Sequence, residues 1–205
     1  MGSEYNNTKQ KILQTALELF SKKGYTAVSI RDIGKVVGIK ESSIYYHFQN
    51  KQDIFNALLL EVQQIISNMT QRFNNRFEDA IQIQEAAFEK VGLNILESFF
   101  LDAHIIKFIR MLIIEQHTNE EAAAVYRNIL FEGPIKQNEE VFKLMMSKGY
   151  IKHEDAGSLA IEYYGLIYFI FLRYFSNGAV TPEVKEKAKS ELAVLLKRFY
   201  KRYIK

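Results

Sequence analysis

The strongest constraint on how this 205-residue chain can fold is the stretch at 24–51, GYTAVSIRDIGKVVGIKESSIYYHFQNK. Ser29 is a good helix N-cap, and Asp32, three residues on, completes a reciprocal capping pair. Ile30, Ile33 and Val37 follow at spacings of three and four, one apolar stripe along a helix. Gly38 then stops the helix with the residue type that tolerates a left-handed backbone, Ile39 anchors the turn, and 40–48 forms the next helix. Two short helices crossing steeply through a tight turn make a helix-turn-helix, whose second helix suits the major groove of DNA.

That second helix exposes an unusual set of side chains. Ile44 and Phe48, four apart, turn toward a core, which leaves Lys40, Glu41, Ser42, Ser43, Tyr45, Tyr46 and His47 mostly on other faces. Small hydroxyls at the helix start let the backbone come close to base edges. Tyr and His tips farther along can donate to phosphates or pack on thymine methyls. Asn50 is a good N-cap, and Lys51 opens the following helix, where the helix dipole and an ammonium both attract phosphate. The same spacing is compatible with a plain helical core whose polar faces are merely solvated.

These residues resemble the DNA-binding domain of the TetR family of bacterial transcriptional regulators. The likeness runs from 9 to about 60, with KILQTALELFSKKGY and then SIRDIGKVVGIKESSIYYHFQNKQDIF in the family's order. It implies an all-α fold of about nine helices: an N-terminal three-helix helix-turn-helix domain, then a larger bundle for effector binding and dimerisation. By position, Ser29 and Arg31 resemble phosphate contacts at the start of the second helix. Glu41, Ser42 and Ser43 occupy base-reading positions, Tyr45 and His47 resemble backbone clamps, and Lys51 matches a phosphate-binding lysine. The family often has Ser-Lys where this chain has Lys40-Glu41. Glu41 either accepts from a cytosine amino group or repels phosphate.

Composition narrows the class. The chain has no cysteine, hence no disulfide, thiolate metal site or cysteine nucleophile. The polar first ten residues lack the apolar run of a signal peptide, so a cytoplasmic protein is expected. No Gly-rich phosphate loop, GxSxG elbow or HExxH motif is present, so no catalytic residue, cofactor or enzyme activity is expected. His104 and His117 lack the spacing of a helical metal pair, so no metal site is expected either. Residues 1–53 carry an excess of three positive charges, weak support for a phosphate-contacting domain.

With two prolines and no Ser- or Gly-rich linker, the rest reads as helices on short connections. They are expected at 51 to near 73, 83–100, 103–115, 135–147, 155–175 and 182–203. Thr118 and Glu121 form a second capping box, opening a segment that Gly133-Pro134 breaks or bends. Thr181 caps the last helix, with Pro182 at its first position. The domain boundary is placed at 53, with a helix-turn-helix domain over 1–53 and an effector and dimerisation domain over 54–205.

Residues 163–172, YYGLIYFIFL, carry no charge, and a helix apolar all round must be buried on every side. The run is too short to cross a bilayer, which takes ~20 residues. A two-fold partner is the expected cover, through Tyr163, Gly165, Ile167, Ile170 and Tyr174 with Leu192, Leu195, Leu196 and Phe199 of the last helix. In TetR-like proteins the last two helices form a four-helix dimer contact, and the resemblance implies the same here. The basic, aromatic end LKRFYKRYIK could instead rest on a membrane surface, but an exposed dimer helix is preferred and no membrane partner is expected. The resemblance further implies a pocket for a small, partly hydrophobic effector. Candidate lining residues are Phe100, His104, Phe108, Met111, Tyr126, Phe131, Tyr164 and Tyr168, with the cavity expected at the Gly133-Pro134 break. Arg110, Glu115, His117 and Arg173 are further polar groups within or beside apolar runs. The expected function is a ligand-responsive regulator, a repressor that binds operator DNA as a homodimer. An activator, or a DNA-binding protein without an effector, is the alternative.

Overall fold

The computed structural model of the chain describes residues 2–74, 84–151, 154–175 and 180–204. Among them the protein is all-helical, apart from one isolated antiparallel bridge between Ile151 and Ile204. In chain order the helices are α1 (Gly2–Lys23), α2 (Ile30–Val37), α3 (Glu41–Tyr45), α4 (Lys51–Asn74) and α5 (Glu85–Ile95). They continue with α6 (Ala103–Glu115), α7 (Glu120–Arg127), α8 (Gly133–Ser147), α9 (Ala156–Phe175) and α10 (Pro182–Tyr203). A π-helical turn, Leu96–Phe100, extends α5, and a second, Asn128–Glu132, joins α7 to α8. The described residues therefore form nine continuous helices, as expected.

Two compact units result: Met1–Asn68 with Ala103–Ile129, and Met69–Asp102 with Leu130–Lys205. The first reaches well past the boundary drawn at 53, because the apolar stripe of α4 (Ile54, Phe55, Leu58, Leu59 and Val62) is buried as one run. Its Phe55 ring meets Phe20 of α1 edge-on, and α1, which buries Ile12, Leu13, Ala16, Leu17 and Phe20, packs on α6. In the second unit, α5, α8, α9 and α10 bury Phe88, Phe142, Tyr163, Leu196 and Phe199 together. Phe88 and Phe199 stack nearly flat with centroids 5.8 Å apart. Each such side chain contributes about 1.5–3 kcal/mol by leaving water.

Several details differ from the sequence expectation. α3 spans only Glu41–Tyr45, with Tyr46 and His47 in the following turn. The N-cap of α7 is Asn119, whose side chain accepts the Ala122 N–H at 3.0 Å, whereas the Thr118 hydroxyl donates back to the Glu115 carbonyl. Gly133-Pro134 does not break the helix. A π turn ahead of it carries the chain in helical conformation into α8, and Pro134 follows directly after that widened turn. The expected helix start at Ile83 lies outside the described residues. No helix of the described residues is long and apolar enough to cross a membrane. In the basic C-terminal stretch, Phe199 and Ile204 are buried in the chain's own core, and the Tyr203 hydroxyl donates to Glu162 at 2.6 Å.

Candidate nucleic-acid interface

The helix-turn-helix is held by local bonds that the sequence encodes. The Ser29 hydroxyl accepts the Asp32 N–H at 3.1 Å, and Asp32 returns the bond by accepting the Ser29 N–H at 2.9 Å. The Ser29 hydroxyl, donating to the same carboxylate at 2.6 Å, and then the Ser29 N–H hold the Asp32 carboxyl below its ordinary range. At the far end, Gly38 adopts φ +80°, a left-handed conformation that favours glycine. Both Gly38 and Ile39 N–H groups close on the Gly34 carbonyl, at 2.9 and 3.0 Å. Asn50 caps α4 by accepting the Asp53 N–H at 2.9 Å.

This frame fixes which side chains of α3 face outward. Ile44 is fully buried and Phe48 nearly so. Lys40, Glu41, Ser42, Ser43, Tyr45 and Tyr46 are exposed, Tyr46 by 75%. Ser29 and Arg31 are exposed on the neighbouring α2 start. A shallow open hollow lies between the two elements, bordered by 26–31, Glu41, Tyr45 and Lys51. His47 is half-buried, and burial, reinforced by Lys9, holds its imidazole below the ordinary range.

Lys51 has an internal role that the sequence did not disclose. Its ammonium donates to the Tyr25 and Val28 carbonyls, both at 2.7 Å, and lies 4.1 Å above the Tyr25 ring. Burial lowers its pKa, partly offset by Glu115. Glu115, at the end of α6 and only 4% exposed, accepts the Tyr25 N–H at 2.7 Å. Glu115 and Lys51 thus pin the 24–28 loop immediately ahead of Ser29. The signal for Glu115 was its place three residues beyond Leu112, on the buried stripe of an otherwise apolar helix face.

The effector candidates separate into two groups. Phe100, Phe131, Tyr164 and Tyr168 come together in the second unit, with Phe171 stacked on Phe100 at 4.6 Å and Phe131 edge-on to Tyr168 at 5.3 Å. Both π turns supply this cluster, and Tyr164 donates to the Leu130 carbonyl at 2.9 Å. His104, Phe108, Met111 and Tyr126 belong to the first unit. There His104 bonds to Glu61 at 3.0 Å and meets the Phe108 ring edge-on, while Phe108 and Met111 are fully buried. Those four do not line one site with the aromatic cluster inside either unit. Among the described residues no group of His, Asp or Glu is placed to hold a metal ion.

Most of the expected dimer residues are core. Tyr163, Ile167, Ile170, Leu192, Leu196 and Phe199 are buried inside their own chain, and Tyr174 is tied to Glu191 through its hydroxyl at 2.5 Å. Leu195 is half-buried, and Gly165 lies open. The apolar face left uncovered on α9 is Ile161, Phe169 and Leu172 around Gly165, with Val194 on α10. A helix apolar all round has room for both faces; α5, α8 and α10 take the one the sequence assigned to a partner.

A sequence model for "Bacterial regulatory proteins, tetR family" matches residues 12–58, the frame just described. A curated relative, the biofilm operon icaADBC HTH-type negative transcriptional regulator IcaR of Staphylococcus aureus, is 26% identical over 203 residues, covering 95% of this chain and all of IcaR. Residues 12–58 thus match the DNA-binding part of the TetR family, and the chain as a whole is similar to a regulator of that kind. A TetR-family regulator from Mesorhizobium loti has the same fold at TM-score 0.77, 18% identity and 98% coverage of both chains. The SmeT–triclosan complex matches at TM-score 0.73 and 15% identity, over 97% of this chain and 92% of that one. The chain therefore has the fold of these regulators, with their helix-turn-helix segment at 12–58.

Proposed function

We propose that the protein is a repressor that binds operator DNA as a homodimer and releases it when a small, partly hydrophobic effector is bound. The observation that carries the proposal is the outward face of α3, hydroxyls at its start and tyrosines at its end, fixed by the buried Ile44 and Phe48. Each subunit places 40–47 in a major groove. Ser29 and Arg31 take phosphates from the start of α2, and Tyr45, Tyr46 and His47 from the end of α3. Lys51 positions that surface through its two carbonyl bonds and keeps its third N–H for a phosphate. Likeness to a negative regulator along the whole chain supports repression over activation.

A second copy covers the Ile161, Gly165, Phe169 and Leu172 face, and a two-fold pair sets recognition helices about one DNA turn apart, ~34 Å. The effector lies against Phe100, Phe131, Tyr164 and Tyr168, the aromatic cluster to which both π turns contribute. That SmeT, of the same fold, was solved with triclosan supports an effector of this kind. Binding moves α4 and with it the half-site spacing. An effector preference of ~3 kcal/mol for the spread state releases operator more than a hundredfold.

Footprinting on the DNA upstream of the protein's own gene tests the reading. Wild type should protect two half-sites, with affinity falling steeply as salt rises. Tyr45→Ala and Tyr46→Ala, both on exposed residues, should lose protection while melting like wild type. Phe169→Glu should sediment as a monomer and bind weakly. Full protection by both tyrosine variants refutes the assigned surface.

A further inference from the structure

We infer that Glu41 reads a cytosine, so that each half of the operator carries a C·G pair selected by this carboxylate. The inference rests on the proposed insertion of α3 into the major groove and adds which base is chosen there.

Glu41 is the first residue of α3 and is exposed. Tyr45, four residues on, shares its flank, and both border the hollow beside Arg31 and Lys51. No described residue bonds or pairs with the Glu41 carboxylate. Lys51, on the same hollow, has its ammonium on the Tyr25 and Val28 carbonyls instead. Among the described residues the protein thus leaves this carboxylate without an ion pair on the face that meets a polyanion.

Phosphates and sugars offer a carboxylate almost nothing to accept from. In the major groove the only donors are the amino groups of cytosine N4 and adenine N6. Adenine sets its N7 lone pair beside N6, so the second carboxylate oxygen meets an acceptor. Cytosine sets a C5–H edge beside N4, and both oxygens are tolerated. Guanine offers only acceptors, and thymine an acceptor and a methyl. Cytosine is therefore the one base that stabilises the charge, and guanine is rejected most strongly. Complementing the dipole of α3 would also place an acid in the first turn. That role alone makes no base dependence, which separates the two accounts.

The test uses full-length protein. A double-stranded library with a random core is enriched on wild type, and every single-base substitution of the winning site is then titrated by anisotropy at one salt concentration. The same site set is titrated against Glu41→Gln and Glu41→Ala. Wild type should prefer C·G at one position per half-site by about ten- to hundredfold. Glu41→Gln should move that preference to A·T, because an amide pairs with adenine N6 and N7. Glu41→Ala should abolish it while binding non-operator DNA more tightly, and all other positions should keep their preferences. An unchanged profile in both variants overturns the inference and leaves α3 as the reading helix. Failure of wild type to enrich any sequence overturns both.

Discussion

Glu115→Ala tests whether the end of α6 holds the reading head in place. In the wild type a carboxylate 4% exposed accepts the Tyr25 N–H at 2.7 Å, a contact spanning 90 positions of chain. Truncation leaves that part-buried N–H without its acceptor, about 1–3 kcal/mol. It also empties the space the side chain filled, which brings the sum to roughly 2–4 kcal/mol. For a chain of this length each kcal/mol moves Tm by about 2–4 °C, so a fall of roughly 4–16 °C is expected. Glu115→Gln keeps an acceptor and the volume and loses only the charge, so it should cost about 1 kcal/mol. Thermal melts followed by far-UV circular dichroism give both numbers. Operator affinity measured well below the transition should fall in the same order, because the 24–28 loop leads directly into Ser29 and the hollow beside α3. If alanine melts within about 0.5 kcal/mol of wild type, or glutamine costs as much as alanine, the pinning argument is wrong.

Other substitutions probe the remaining joints. Gly24 and Gly38 have the same left-handed backbone (φ +79° and +80°), but a Cβ at Gly38 meets nothing within 4 Å, whereas at Gly24 it lies 3.1 Å from Ile114 Cγ2 and 3.2 Å from Glu115 Oε1. Gly38→Ala should therefore cost about 1 kcal/mol and Gly24→Ala clearly more, and the reverse order in urea titrations would exclude the contact explanation. A Cβ at Gly92 would sit 2.5 Å from Leu196 Cδ1, a fully buried side chain, so Gly92→Ala should destabilise by about 1–3 kcal/mol. Combining it with Leu196→Ala should cost less than the two changes summed, and simple additivity would count against a clash. Lys107 and then Lys22 pull the Glu18 carboxyl down to about 2. A depressed carboxyl stabilises the fold above its ordinary range and loses that contribution as pH falls toward 2. With 36% of the side chain exposed the effect stays below about 1 kcal/mol. Glu18→Gln should accordingly flatten stability between pH 5 and 2, most visibly at low salt.

What was legible in the sequence was local. Ser29, Asp32, Gly38 and Asn50 act on backbone within four residues, and residue type alone specifies such bonds. The length of α3, the N-cap at Asn119 and the passage through Gly133-Pro134 were not legible. Each depends on how a helix end competes with its neighbours: Thr118 turned back to Glu115, and a π turn leads directly into Gly133-Pro134. Lys51 shows the same limit from the functional side. A lysine opening a helix reads as a phosphate site, but only the fold brings the Tyr25 and Val28 carbonyls within 2.7 Å of it.

The penultimate helix shows why fold class came through while the surfaces did not. Ten uncharged residues at 163–172 require burial all round, and spacing identifies the faces without saying which neighbour takes which. Gly92 shows what is missing: lacking a side chain, it lets α10 approach α5 until Leu196 Cδ1 lies 2.5 Å from where Cβ would stand, with the Tyr163 hydroxyl 3.3 Å away in the same gap. Tyr163, Ile167 and Ile170 face inward there and Ile161, Gly165 and Phe169 outward. One neighbour of the buried face is thus a glycine some seventy residues upstream, and no pattern confined to α9 could have carried that information.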